Sequence, residues 1–412
     1  MNERTRLASL YPLVIALFAV LCLARPTLAE PPEGHVTLTL EGLEGRPQFA
    51  VSPEGEAMLA WWARPQEGEA PHLYLARSPA WVPQDLGILP AGSEVGNLLL
   101  RAGREVALTW SYPTTRTEMI QWVVPGSPWP DPQMEPFRAW RAYALDGPGL
   151  AVAWRTEEEV AIRRGGEAIT ETIPIAPQAT FEAFHFAVDA RRDGHLAWAI
   201  REEPGVRGGI YYAPAMSGTV PVQVWPHAHE MALSAGPDGV AHLAWAEEGT
   251  LYYASSVAWQ TPVSVTQGLT DTEALALAAG PYGMARLVWA SEGRLWAASS
   301  AQWRKPILLA EGVSPSRIMA AVDGRGRLHV LWVSAEAPKQ AHYLLVDRTP
   351  WQVRVTYPIE GETIVEETFA RAESNAPYGW VERVVFYIQE EKEGILYDLG
   401  EDQTEADGWA VP

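Results

Sequence analysis

The stretch LSAGPDGVAHLAWAEEGTLYYASSVAWQTPVSV (233–265) is followed by LALAAGPYGMARLVWASEGRLWAASSAQWRKPILL (275–309) and MAAVDGRGRLHVLWVSAEAPKQAHYLLVDRTPWQV (319–353), three copies of one pattern. Looser copies begin at Phe49, Leu98, Ala144 and Phe186. One Trp marks each copy: Trp62, Trp110, Trp154, Trp198, Trp245, Trp289 and Trp332, at intervals of 48, 44, 44, 47, 44 and 43. Each unit holds an apolar stretch, a Gly-containing turn, a stretch ending at Trp, a polar turn, a stretch such as LYYAS and a final VSV or ILL. That reads as four short strands joined by tight turns. A period of about 40–45 residues per four strands is that of a β-propeller blade. Strands buried on both faces explain the lack of clean polar alternation in HLAWA and LYYAS. An open solenoid would need polar caps at both ends, and neither end shows one.

Working outward, VTLTLEG (36–42) resembles the fourth strands PVSVTQG (262–268) and PILLAEG (306–312). The expectation is that the N-terminal segment supplies the outer strand of the last blade and closes the ring, removing an exposed edge. The fold expected is all-β: a seven-bladed β-propeller over 30–351, closed by this N-terminal strand.

Two terminal segments stand outside the period. Residues 1–29 pair a short charged start, MNERTR, with the apolar run LASLYPLVIALFAVLCLA and a Thr27-Leu28-Ala29 cleavage site, the pattern of a signal peptide. An uncleaved anchor is the competing reading. The lone Cys22 lies within this leader, so the exported chain would use no disulfide and no Cys nucleophile. Beyond residue 352, VRVTYPIEGETIVEETFARAESNAPYGWVERVVFYIQ resembles the opening strands of bacterial immunoglobulin-like modules. It covers about 60 residues against the ~100 of such a sandwich, so a partial immunoglobulin-like domain is expected over 352–412. An extra decorated blade is the alternative.

The 412 residues carry 31 Lys+Arg against 51 Asp+Glu, a net charge of −20. Loss of the leader would leave 28 against 50, or −22. This balance opposes nucleic acid as a partner, since such affinity comes from basic residues displacing counterions. The 19 Trp exclude a disordered chain, and 34 Gly with 34 Pro fit many turns.

The units resemble the repeats of sialidase-like exported propellers, with SSVAWQTP (255–262) and SSAQWRKP (299–306) standing where those carry an Asp-box. Ser and Trp are kept, while Asp and Gly are lost. Sialidase enzymes have six blades and use three Arg, a Tyr with a Glu, and an acidic catalyst. No residue of that set maps here one by one, and no catalytic residue is assigned.

The turns between second and third strands carry Glu67, Glu158, Glu203, Glu248, Glu292 and Glu336, which puts carboxylates on one face. Arg64, Arg155 and Arg201 end second strands at the same face. The functional reading is a carboxylate-rimmed mouth for cations or a basic surface, with arginines able to grip a sugar carboxylate. The plain readings are solvated turn residues and Arg–Glu pairs between adjacent blades. Trp129, in PGSPWPDP (125–132), is off the repeat and is the aromatic expected to be exposed.

His195, His242 and His329 recur three residues before the blade Trp, which in a strand faces them away from it and suits packing. His227-Ala228-His229-Glu230 has alternate spacing but no third convergent ligand, so no metal and no cofactor are expected. Phosphate-loop, dinucleotide, zinc-protease and serine-hydrolase motifs do not occur in a supporting context. The expected function is an exported, non-catalytic recognition or scaffold protein, secreted or at the cell surface. It would bind glycan or protein through the acidic face, associate with the cell envelope and have no transmembrane segment after cleavage. A divergent glycoside hydrolase and a structural part of a longer surface protein are the alternatives.

Overall fold

The computed structural model describes residues 15–16 and 35–346, apart from 67, 102–104, 113–116, 137–140, 147–148, 165–170, 176–178, 228–230, 271–273, 281–282, 301–302 and 337–338. It also describes the backbone of 353–357, 370–374, 384–390, 396–402 and 409–411. Every described element is a strand.

Residues 31–347 form one unit of seven four-stranded antiparallel sheets. From innermost to outer strand, blade 1 is Leu43–Val51, Ala57–Ala63, His72–Arg77 and Gln84–Ile88, and blade 2 is Glu94–Arg101, Glu105–Tyr112, Thr117–Val123 and Gln133–Pro136. Blade 3 is Arg141–Asp146, Gly149–Arg155, Glu159–Arg164 and Glu171–Pro174, and blade 4 is Phe181–Val188, Gly194–Ile200, Gly209–Pro214 and Val222–Trp225. Blade 5 is Met231–Ala235, Ala241–Glu247, Thr250–Ser255 and Val263–Thr266, and blade 6 is Ala274–Ala279, Ala285–Ser291, Arg294–Ser299 and Ile307–Glu311. Blade 7 takes Pro315–Val322, Leu328–Ser334 and Gln340–Leu345 from one end of the unit and Val36–Thr39 from the other.

That last strand pairs Val36 with Tyr343 and Thr39 with Gln340, so the expected closure is present. Leu38 on it and Leu40 just after it are buried among Trp61, Leu331 and Tyr343. Each of the seven joins between neighbouring blades has its own cluster of buried side chains. A second strand is therefore covered on both faces, and all seven residues of Ala57–Ala63, Gly194–Ile200 and Ala285–Ser291 are buried.

The blade Trp packs toward the preceding blade, as Trp198, Trp245 and Trp332 do. In blade 1 that place belongs to Trp61, not Trp62, which faces blade 2. The stacking partner agrees: Trp61 lies on Tyr74 as Trp198 lies on Tyr211 and Trp245 on Tyr252. The first interval becomes 49, and a Trp-Trp doublet hid the one-residue shift that swaps faces in a strand.

The opposite faces carry a recurring polar relay. His195, His242 and His329 are hydrogen-bonded through Nδ1 to the hydroxyls of Tyr212, Tyr253 and Tyr343 at 2.9, 2.7 and 2.9 Å. Nε2 of His195 and of His329 lies 3.3 Å from Asp189 and Asp323. Those carboxylates also accept backbone N–H groups of their own turns at 2.8–2.9 Å. Each Tyr then meets a Trp of the next blade: Tyr212 with Trp259, Tyr253 with Trp303, Tyr343 with Trp81, at 4.5–4.7 Å. These histidines are packing residues, and the closing join holds the same relay as two ordinary joins.

A second unit comprises residues 1–30 and 348–412. Its described strands form two three-stranded sheets, one of Ile15–Ala16, Val384–Glu390 and Leu396–Asp402 and one of Val353–Tyr357, Ala370–Ser374 and Trp409–Val411. The signal-peptide and immunoglobulin-like readings fall largely on segments outside the described residues. Among the described residues, no helix is long and apolar enough to cross a membrane.

Candidate functional site

The turns after the second strands hydrogen-bond to the linkers between blades: Arg64 N–H to Gly42, Arg201 N–H to Thr180, Ala335 N–H to Ser314, and Leu269 N–H to Gly249. One end of the propeller therefore gathers both sets of loops and the carboxylates they carry. Glu158, Glu248, Glu292 and Glu336 are exposed there and Glu203 is partly buried, while Glu67 lies outside the described residues. Glu248 and Glu292 sit at φ +46° and +52°, each followed by a glycine at positive φ. These are the two-residue turns that suit the twist of a hairpin, and Asn or Gly is the usual occupant of the first place. Holding a non-glycine residue there costs on the order of 1 kcal/mol.

Arg64, Arg201 and Arg294 pair within their own blades, not between blades. Arg64 donates to Glu44 at 2.6 Å, Arg201 to Glu182 at 2.7 Å, and Arg294 lies 3.5 Å from Glu311. Glu44 and Arg64 end adjacent strands of one hairpin, so they meet before a neighbouring blade can compete. Arg155 instead covers the Phe181 ring of blade 4 at 5.0 Å. The guanidinium groups are thus spread around the rim, each engaged locally.

Trp129 is not a free aromatic. Its indole N–H donates to the Leu86 carbonyl at 2.6 Å, and its ring packs in the join of blades 1 and 2. Gly87, at φ +133°, makes the room, since a Cβ there would lie 2.9 Å from the indole nitrogen.

Among the described residues, two of the hollows open at this end. A smaller one of 410 Å³ is bordered by Glu182, Arg201, Glu202, His227, Glu247 and Glu248. A larger one of 600 Å³ lies between the outer strand of blade 6 and blade 7. Its floor is a stack of three rings: His35 on Trp332 at 5.2 Å, His35 on His342 at 5.0 Å, and His342 on Trp332 at 5.2 Å, all within 18° of parallel. Burial lowers the pKa of both imidazoles, and His35 lowers that of His342 further, so the floor is uncharged at neutral pH. Ser314, Ser334, Gln340, Glu311 and Glu336 supply polar walls.

The register explains why the larger hollow exists. Trp225 of blade 4, Gly87 of blade 1 and Ala310 of blade 6 occupy one equivalent place on their outer strands, opposite Ile210, Leu73 and Leu295. Trp225 covers Trp245 and Tyr252 of the next blade, and Trp129 fills the space beside Gly87. Beside Ala310, the His35 ring is exposed and the His342 ring half-buried, over a buried Trp332. Sequence reasoning missed this site. Its signal was the AHY of blade 7, where His342 replaces the first Tyr of the LYY pattern.

Among the described residues no group of three or more His, Cys, Asp or Glu could hold a metal ion. His229 and Glu230 lie outside those residues, and His227 is 3.9 Å from Glu247.

No family model matches the chain, and no curated protein matches it. Among solved structures, prolyl oligopeptidase B from Galerina marginata is similar with a TM-score of 0.50 at 9% identity, over 85% of this chain and 56% of that one. A streptogramin B lyase has a TM-score of 0.45 at 9% identity, over 77% of this chain and all of that one. A catalytically inactive virginiamycin B lyase from Staphylococcus aureus, solved with quinupristin, has 0.49 at 10%, over 76% and 99%. At such identities the likeness concerns the fold alone.

Proposed function

We propose that this propeller is an exported recognition or scaffold module that binds a glycan, or a glycan-bearing protein, through its carboxylate-bearing end. Export rests on the leader pattern of 1–29. The observation that carries the binding reading is the 600 Å³ hollow, lined by the uncharged rings of exposed His35 and half-buried His342 and by polar walls. A sugar ring stacks its C–H face on such rings, and carboxylates accept its hydroxyls. Of the rim arginines, Arg64, Arg201 and Arg294 are engaged by Glu44, Glu182 and Glu311, and the reading uses no arginine clamp and no catalytic residue.

A glycan-array screen, with parallel assay of reducing-sugar release, tests it. Binding is expected, and it is lost in Ala310→Trp, which plants in blade 6 the side chain that Trp225 supplies in blade 4. Release of sugar would replace this reading with a glycoside hydrolase. Undiminished binding by Ala310→Trp moves the ligand away from the hollow and sinks the reading.

A further inference from the structure

In a chain with 51 acidic against 31 basic residues, the exposed charges of one end of the propeller reverse the balance. Antiparallel blades bring the turns between first and second strands and the loops between third and fourth strands to the same end, away from the carboxylate-bearing turns. Among the described residues Arg191, Arg192, Arg304, Lys305 and Arg325 are exposed there, against the exposed carboxylates Glu54, Asp131 and Asp193. Arg192 is held by the buried Asp146 at 2.7 Å. The side chains of Arg191, Arg304, Lys305 and Arg325 make no hydrogen bond or ion pair among the described residues.

Apolar side chains gather at the same end. Val82, Val124, Met216, Val220 and Val257 are 41–79% exposed, and all five lie on loops between third and fourth strands. The other exposed large apolar residues lie on outermost strands, and among the described residues no loop of the carboxylate-bearing end exposes one. The loops are held in place. Those of blades 1, 5 and 6 are anchored by Trp81, Trp259 and Trp303, buried against Tyr343, Tyr212 and Tyr253 of the preceding blade at 4.5–4.7 Å. Val82 and Arg304 directly follow their anchors and Val257 comes two before its own, so the join takes the Trp and the loop presents its neighbours. In blade 4 the loop is closed by Ala215 N–H to Gly194 and Thr219 N–H to Met216, with Met216 and Val220 outward.

We propose that this end docks on a bilayer containing anionic lipid, the apolar tips entering the interface and the free bases meeting headgroup phosphates. The tips sit on separate blades. A fluid interface accepts them one by one, whereas a folded partner would need a matching shape. The acidic end does not cancel the attraction. The seven residues of Ala57–Ala63 span about 20 Å, more than two Debye lengths of about 8 Å at physiological salt. The carboxylate-bearing end then faces away from the membrane with its hollows open, and the docking does not depend on what they bind.

Sedimentation of the full chain with vesicles of phosphatidylglycerol and phosphatidylcholine, against phosphatidylcholine alone, tests it. The assay is run with and without residues 1–29, because that segment is itself apolar. The chain should sediment with the anionic vesicles, and less so at about 1 M salt, where the Debye length is about 3 Å. The double variants Arg304→Gln/Lys305→Gln and Val220→Ser/Val257→Ser should each weaken binding about tenfold or more. All four residues are exposed on loops, so the substitutions leave the cores intact. Binding that vanishes with residues 1–29, that is equal on both vesicles, or that is unchanged in both double variants overturns the proposal. No binding at all overturns it too, and a dimer abolished by Val220→Ser/Val257→Ser would then assign the tips to a second copy of the chain.

Discussion

The two ends of the propeller are built on opposite rules. At the end with the turns between first and second strands, three joins repeat the His–Tyr–Trp contact, two of them with the same buried Asp. At the other end three described joins are finished in three ways: Trp225 covers one, Trp129 another, and Ala310 borders a hollow at a third. Repetition is what packing produces when seven similar units must meet in the same way. Variation at the other end marks the surface released from that demand.

The strongest way to break this comparison is to remove the closing strand. Deleting 36–40 takes Leu38 and Leu40 out of the blade 7 to blade 1 core, worth about 3–6 kcal/mol by apolar burial alone, and exposes the edge of Gln340–Leu345. A large drop in the urea midpoint is expected, and an unchanged melt refutes closure. Next, Asp323→Ala leaves His329, Arg327 and two backbone N–H groups without their acceptor, at a cost of about 3–5 kcal/mol. Asp189→Ala in the join of blades 4 and 5 should cost a similar amount. A much smaller loss for Asp323 would show that the closing join is weaker than it looks.

The variable end gives a smaller effect. Gly87→Ala drives a Cβ into Trp129 at 2.9 Å, at a φ of +133° that side chains avoid, and should cost about 1–3 kcal/mol. Ala310→Gly, facing the open hollow, should cost less. That asymmetry shows where the sequence was readable. The period and the closing strand were legible because a strand repeats its own pattern. Trp129 was not, because the residue that receives it is Gly87, 42 positions away and on another blade. The Trp61-Trp62 doublet was ambiguous for a different reason, since spacing tolerates one residue while the choice of face does not. In blades 4, 5 and 7 the His lies three residues before the Trp, but blade 1 has Met58 there and offers no such marker.

Acidity reads the relay most finely. His242 is held at about pKa 4, chiefly by burial, with its hydrogen bond to Tyr253. Between pH 6.5 and about 4 the unfolded chain takes up a proton at this residue and the folded chain does not. Stability therefore falls with pH across that window, by up to about 1.4 kcal/mol per pH unit for one such group. His185 adds to the same slope. In His242→Gln the slope of urea-melt stability against pH should flatten by the share of one histidine, while stability above pH 7 drops through the altered packing. An unaltered slope would mean that His242 takes up its proton in the folded state, and so that this join is wetter than the closed cores around it.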